Sequence, residues 1–241
     1  MSTRVSLFVT CLVDQFFPRI GLAMADVLER VGYQCEFRQD QTCCGQPAFN
    51  SGFTSEAREV ARHFLRTFED ADYIIVPSGS CSAMIRHHFA DLFEKDPAAQ
   101  KAASELGRRV YEFTEFLTLV AQVEDVGARY EEVVTFHDSC HGLRELSIKS
   151  EPRRLLENVR GLELREMERV EECCGFGGIF SVKLSELSSD MLDGKIQSIV
   201  ATGARTVAGL DASCLLHIEG GLRRRGLPIR TLHLAEVLAR T

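Results

Sequence analysis

The chain has 241 residues, 45% of them hydrophobic and 26% charged, which is the composition of a globular protein of one or two domains. Its net charge of -7 and pI near 5.6 supply no basic field for phosphate backbones, so nucleic acid is excluded as an expected partner. No apolar run approaches the roughly 20 residues that span a bilayer, so no membrane insertion is expected either.

In chain order, the opening MSTRVSLFVTCLVDQFF has the outline of a signal peptide, but Asp14 interrupts its apolar stretch and no small-residue cleavage site follows. It reads instead as a first strand, Val5 to Thr10, leading into a helix over Pro18 to Val31 with apolar Ile20, Met24, Val27, Leu28 and Val31 at helical spacing. A second strand, Tyr33 to Arg38, precedes a cysteine-bearing loop, and Thr54-Ser55-Glu56 predicts a capped helix running to about Asp70. A third strand, Tyr73 to Pro77, runs into Ser78-Gly79-Ser80-Cys81. Helical sequence over 83 to 106, a fourth strand at Arg109 to Phe113 and a helix over Glu115 to Val123 complete a first unit.

The second half repeats this order, with strands expected near 132 to 137, 162 to 167, 205 to 210 and 228 to 232. Helices are expected near 151 to 159, 184 to 201, 214 to 225 and 233 to 240. Alternation of this kind predicts an α/β fold of two tandem repeats, residues 1–127 and 128–241, each a mainly parallel sheet flanked by helices.

Cysteine placement supports the duplication. Cys43-Cys44-Gly45 and Cys173-Cys174-Gly175 are vicinal pairs followed by glycine, and each pair is framed by two further cysteines: Cys11 and Cys81, then Cys140 and Cys214. Cys11 is separated from Cys43 by 31 residues and Cys140 from Cys173 by 32. Each of these cysteines is predicted at the carboxyl end of a strand, where the loops of a parallel sheet converge on ligands.

With no export signal recognised, the expected compartment is the reducing cytoplasm, where cysteine clusters bind metal or do redox work rather than form structural disulfides. Structural zinc is usually gripped by C-x-x-C turns, and neither quartet has one. Adjacent cysteines project divergently and suit different irons of a polynuclear cluster, which favours iron-sulfur ligation by Cys11, Cys43, Cys44 and Cys81 and by Cys140, Cys173, Cys174 and Cys214. Four thiolates suit one 4Fe-4S cluster per repeat. Zinc, and metal-free oxidisable thiols, are the alternatives.

The repeated Cys...Cys-Cys-Gly...Cys pattern resembles the cysteine-rich CCG domain found in heterodisulfide reductase and in the iron-sulfur subunits of glycolate and glycerol-3-phosphate oxidases. End to end, the chain is similar to the lactate-utilisation protein A family. The resemblance is carried by Phe8 to Cys11, Cys43 to Gly52, Ser78 to Cys81, Asn158 to Leu164, Cys173 to Lys183, Ser213 to Leu216 and His233 to Leu238. It implies an iron-sulfur subunit that relays electrons in a multi-protein, NAD-independent system oxidising L-lactate to pyruvate, with other lactate-utilisation subunits as partners. The fuller CCG pattern ends each repeat in C-x-x-C, whereas Met84 and His217 stand three positions after Cys81 and Cys214 here. That departure weighs against a five-thiolate cluster with disulfide-cleaving activity. The competing readings are a heterodisulfide-reductase-like thiol enzyme and a zinc-stabilised scaffold that carries no electrons.

Several other residues are weighed against plain structural roles. His217, one helical turn beyond Cys214, is a candidate extra ligand, while Met84 reads as packing. His137 and His141 bracket Cys140 at a strand end and read mainly as polar support, with a general-base role as the sharper alternative. Arg19 and Arg144 are weak candidates for pairing with a substrate carboxylate. Cys35 reads as a buried small hydrophobe, Arg223-Arg224-Arg225 as a solvated helix end, and His87-His88 as exposed. No catalytic acid-base set is assigned, and no nucleotide or flavin fingerprint occurs.

Overall fold

The computed structural model describes residues 3–241. The first half contains β1 (Arg4–Leu7), α1 (Cys11–Phe16), α2 (Pro18–Arg30), β2 (Gln34–Phe37), α3 (Gln46–Asn50), α4 (Thr54–Thr67), β3 (Ile74–Val76), α5 (Gly79–Ala83), α6 (Phe89–Leu92), α7 (Pro97–Gly107), β4 (Val110–Glu112) and α8 (Phe113–Glu115). The second contains β5 (Val133–His137), α9 (Cys140–Arg144), α10 (Ser150–Glu157), β6 (Glu163–Leu164), α11 (Ile179–Lys183), α12 (Ser185–Ala201), β7 (Thr206–Gly209), α13 (Ala212–Arg224), β8 (Arg230–His233) and α14 (Leu234–Leu238). Two π-helical turns, Met84–His88 and Phe116–Val120, extend α5 and α8.

The strands form two four-stranded parallel sheets of the same order, β2-β1-β3-β4 and β6-β5-β7-β8. Their registers superpose: Val5 faces Cys35 as Val134 faces Leu164, and Leu7 faces Ile75 as Phe136 faces Ala208. Cys35 thus holds the place that leucine takes in the other sheet, and its thiol packs half-buried toward the Ala25 carbonyl. The central strand β3, Ile-Ile-Val, is buried throughout, as a strand covered by helices on both faces must be.

Helix starts follow local chemistry where the side chains allow it. Asp96 accepts from the Ala99 amide and Pro97 occupies the first turn of α7. The cap expected at Thr54-Ser55-Glu56 does not form: Phe53 precedes the helix, Thr54 is already helical, and Ser55 Oγ is turned onto Glu56.

Contacts between the repeats are reciprocal. α2 of the first packs on α14, the last helix of the second, and α10 packs on α8, the last helix of the first; α5 packs on α9, and α1 on α13. This exchange of equivalent surfaces describes a pseudo-two-fold arrangement. It buries one apolar core running from Val5, Leu7 and Met24 through Phe113 and Phe116 to Val134, Phe136, Leu234 and Leu238. Arg30 fastens the seam by donating to the carbonyls of Val126, Leu238 and Ala239. The carboxyl ends of both sheets consequently face each other.

A thiol-lined candidate metal centre

Each quartet is assembled by the same three pieces of backbone. Cys11 is the first residue of α1 and Cys140 the first of α9, while Cys81 and Cys214 sit in the first turns of α5 and α13. The vicinal pairs lie on the loops after β2 and β6, where Gly45 and Gly175 adopt φ of +79° and +88°, a conformation that glycine enters without strain. That turn brings the glycine amide onto the preceding sulfur: Gly45 N to Cys43 Sγ and Gly175 N to Cys173 Sγ are both 3.4 Å.

In the first repeat, Cys11 Sγ lies 3.5 Å from Cys43 Sγ, and Cys44 Sγ lies 3.2 Å from Cys81 Sγ. In the second, Cys140 hydrogen-bonds Cys173, and Cys174 bonds both Cys173 and Cys214. None of the nine cysteines is disulfide-bonded. Seven of the eight quartet cysteines, all but Cys43, line a single cavity of about 410 Å³ together with Ser78, Ser80, Ser139 and Asp211.

The ionisation pattern within each quartet is strongly unequal. Hydrogen bonds from neighbouring thiols, Cys11 for Cys43 and Cys140 for Cys173, hold those two far below the usual thiol range. Cys11, Cys44, Cys140 and Cys174 are pushed up because each donates to a neighbouring sulfur, is buried, and faces adjoining negative charge. Four thiolates so close together repel one another, and only a cation placed among them allows all four to lose their protons. The donor set therefore fits a metal ion or an iron-sulfur group. Among the described residues, His137 with Cys174 and Cys214 forms a buried group whose ligand atoms all lie within 4.8 Å of one another.

The cysteine-rich CCG domain model matches residues 5–86 and 134–219. Lactate utilization protein A of Bacillus cereus strain G9842 is 47% identical over 235 residues, 98% of each chain, and that of Bacillus thuringiensis strain Al Hakam is 48% identical over the same span. The chain belongs to the lactate utilization protein A family. A crystal structure of a Helicobacter pylori protein, 10% identical, superposes with a TM-score of 0.64 over 98% of this chain and shares its fold; the chain spans 48% of that protein.

The other residues singled out in the sequence fall in varied places. His217 Nε2 lies 3.4 Å from Ser188 Oγ and its ring meets Phe176 edge-on, whereas it is His137 that approaches Cys174 and Cys214. Met84 is fully buried in the apolar core. His141 Nδ1 lies 3.5 Å from Cys140 Sγ, and its other nitrogen faces Glu145. Arg19 is paired with Glu236 at 2.6 Å, joining the repeats, and Arg144 donates to the Glu171 carbonyl. Arg225 pairs with Asp193 and donates to the Gly221 carbonyl at the end of α13. His87 is exposed as expected; His88 is not, since it stacks near Phe49 and meets Glu145 at 3.0 Å.

Sequence reasoning misses the polar bridge between the sites. Ser78 Oγ, Ser80 Oγ and Ser80 N all converge on the Asp211 carboxylate, at 2.6, 2.8 and 3.3 Å. The available signal is positional: Ser78 and Asp211 each stand three residues before the last cysteine of their quartet.

Proposed function

We propose that this protein is the iron-sulfur redox subunit of a multi-protein, NAD-independent system that oxidises L-lactate to pyruvate, and that it relays electrons through one cysteine-ligated cluster per repeat, probed most directly by iron and sulfide content. Cys11, Cys43, Cys44 and Cys81 would hold one group and Cys140, Cys173, Cys174 and Cys214 the other. The observation that carries this reading is the convergence of seven cysteines from both quartets on one cavity. Bound iron-sulfur groups would supply reversible one-electron chemistry there, at potentials set by hydrogen bonding and burial.

The chain's own residues do the rest. Gly45 and Gly175 direct amides at Cys43 and Cys173, which stabilises those sulfurs as thiolates. Ser78, Ser80 and Asp211 hold the two cysteine loops together, so the sites keep a fixed separation. Burial of Cys44, Cys81, Cys174 and Cys214 keeps water from half of the sulfurs. Among the described residues no helix is long and apolar enough to cross a membrane, and a cytoplasmic location belongs to the proposal. The partners in this reading are the other lactate-utilisation subunits, and lactate is bound at the level of that complex.

The test is anaerobic purification followed by metal, acid-labile sulfide and electron paramagnetic resonance analysis. Iron and sulfide for two clusters per chain, reducible by dithionite, are expected. Stoichiometric zinc with no redox response would replace the relay by a scaffold. Purification of the native complex, with lactate added, is expected to bleach the visible charge-transfer bands.

A further inference from the structure

The two sites are not alike beneath their sulfurs. His137 closes β5 three positions before Cys140, where the first repeat has Phe8 three before Cys11. In the other wall, Gly45 packs on Ala57 and Val60 as Gly175 packs on Ser188 and Met191, which aligns α4 with α12 and sets Lys195 where the first repeat has Phe64. Phe8 and Phe64 meet edge-to-face at 4.9 Å and both are buried, so the first site rests on aromatic hydrocarbon. The second rests on a buried imidazole and a buried amine.

Both are placed to act on the site. His137 is 1% exposed, neither of its ring nitrogens has a hydrogen-bond partner, and its ligand atom lies within 4.8 Å of those of Cys174 and Cys214. An unpartnered imidazole at that depth costs free energy unless something in the site engages it. Lys195 is fully buried and its Nζ donates to the carbonyls of Arg169 and Val170, at 2.7 and 3.1 Å, in the segment leading to Cys173. Its charge is felt by Cys173, Cys174 and His137. The carboxylates nearby are each engaged by other partners: Asp138 is held by a two-point pair with Arg153, Glu172 is paired with Arg169, and Asp211 is bonded to serines of the first repeat.

We propose that the two centres are unequal by design, His137 giving the second a ring-nitrogen contact and Lys195 a buried positive charge, so that the first electron taken up resides at the second centre. The inference rests on the iron-sulfur reading above. A donor nitrogen and a nearby cation both stabilise the added negative charge of a reduced centre, and aromatic hydrocarbon does neither. One electron from the reductant therefore reduces the second centre and leaves the first oxidised; a second electron is needed to reduce the first.

The experiment is a dithionite titration of the reconstituted full-length protein, labelled with 15N-histidine and followed by pulsed electron paramagnetic resonance. Two reduction steps are expected, with a histidine-nitrogen coupling in the species formed first. His137→Phe, which installs the residue of the first repeat, removes that coupling and draws the two midpoints together. Lys195→Met keeps the chain length, retains the coupling and also lowers the higher midpoint, so it decides the matter if His137→Phe does not fold. Iron and sulfide for two clusters with the first-formed signal unaltered in both variants would overturn the inequality and leave the iron-sulfur reading intact. Absence of iron and sulfide would overturn both.

Discussion

Ser78 and Asp211 occupy equivalent positions in the two repeats and bond directly to each other, Oγ donating to Oδ1 over 2.6 Å across 133 positions of sequence. The pair lies where the pseudo-symmetric cysteine loops meet, and Gly79 and Gly142 sit so close beside it that a Cβ on Gly79 would come within 2.9 Å of the Gly142 Cα. Close approach of these backbones is what brings seven of the eight quartet thiols to one cavity. Asp211→Ala removes the shared acceptor of Ser78 and Ser80, and a loss of about 2–4 kcal/mol is expected in chemical denaturation. Ser78→Ala, which leaves the Ser80 bonds, is expected to cost less.

Cys174→Ser is expected to abolish the iron, sulfide and visible absorption of one repeat and leave the other's, and Cys43→Ser to do the converse. Cys35→Ala serves as the control: it stands on β2 outside both quartets, so full metal content should persist with a stability change below about 1.5 kcal/mol. Full absorption in the Cys43→Ser or Cys174→Ser protein would contradict the ligand assignment.

The glycines after the vicinal pairs differ in tolerance. Both carry positive φ, which costs a substituted alanine about 1–2 kcal/mol. At Gly45 the added Cβ meets Val60 at 3.4 Å, an ordinary contact; at Gly175 it lies 2.5 Å from the Ser188 carbonyl oxygen, which backbone cannot yield cheaply. Gly175→Ala is therefore expected to lower the Tm more than Gly45→Ala and to empty the second site preferentially, as metal analysis of the two variants would show.

Glu112 gives the fold a pH dependence of definite sign. It is fully buried, and burial pushes its carboxyl up to about 8. Its Oε2 accepts from Thr114 N at 2.7 Å and from the Thr114 hydroxyl, while Oε1 has no partner and suits the proton. Because the folded state holds this proton more tightly than the unfolded chain, the stabilisation is complete below the ordinary carboxyl value. It is then lost as pH rises through about 8. Denaturant midpoints compared from pH 5 to 9 should show a loss on the order of a few kcal/mol in the natural protein that is absent from Glu112→Gln.

The fold is legible in the residues because both signals are local. Alternating strand and helix patterns locate all eight strands within a few positions, and duplicated Cys-Cys-Gly loops announce two equivalent units. The short helices α1, α3, α9 and α11 escape such a reading, since little more than one turn of chain carries no periodicity, and a cysteine loop reads as a loop even when it opens a helix. His88 reads as exposed although it is not, because its partner Glu145 lies 57 positions away in the other repeat.

What the sequence determined alone is the chemistry in stock: two sets of four thiols, each on the loops of a parallel sheet, in a chain without the charge for nucleic acid or the apolar length for a membrane helix. What tertiary structure decided is how those sets face one another. Only packing of α2 on α14 and α10 on α8 turns two separate sheets so that their cysteine loops share one cavity, with Asp211 bridging them. Only packing of α4 and α12 sets a phenylalanine beneath one site and a lysine beneath the other. The reason is physical: pattern along a strand or helix reports which face is buried, whereas what lies across the buried face depends on residues brought together from distant parts of the chain.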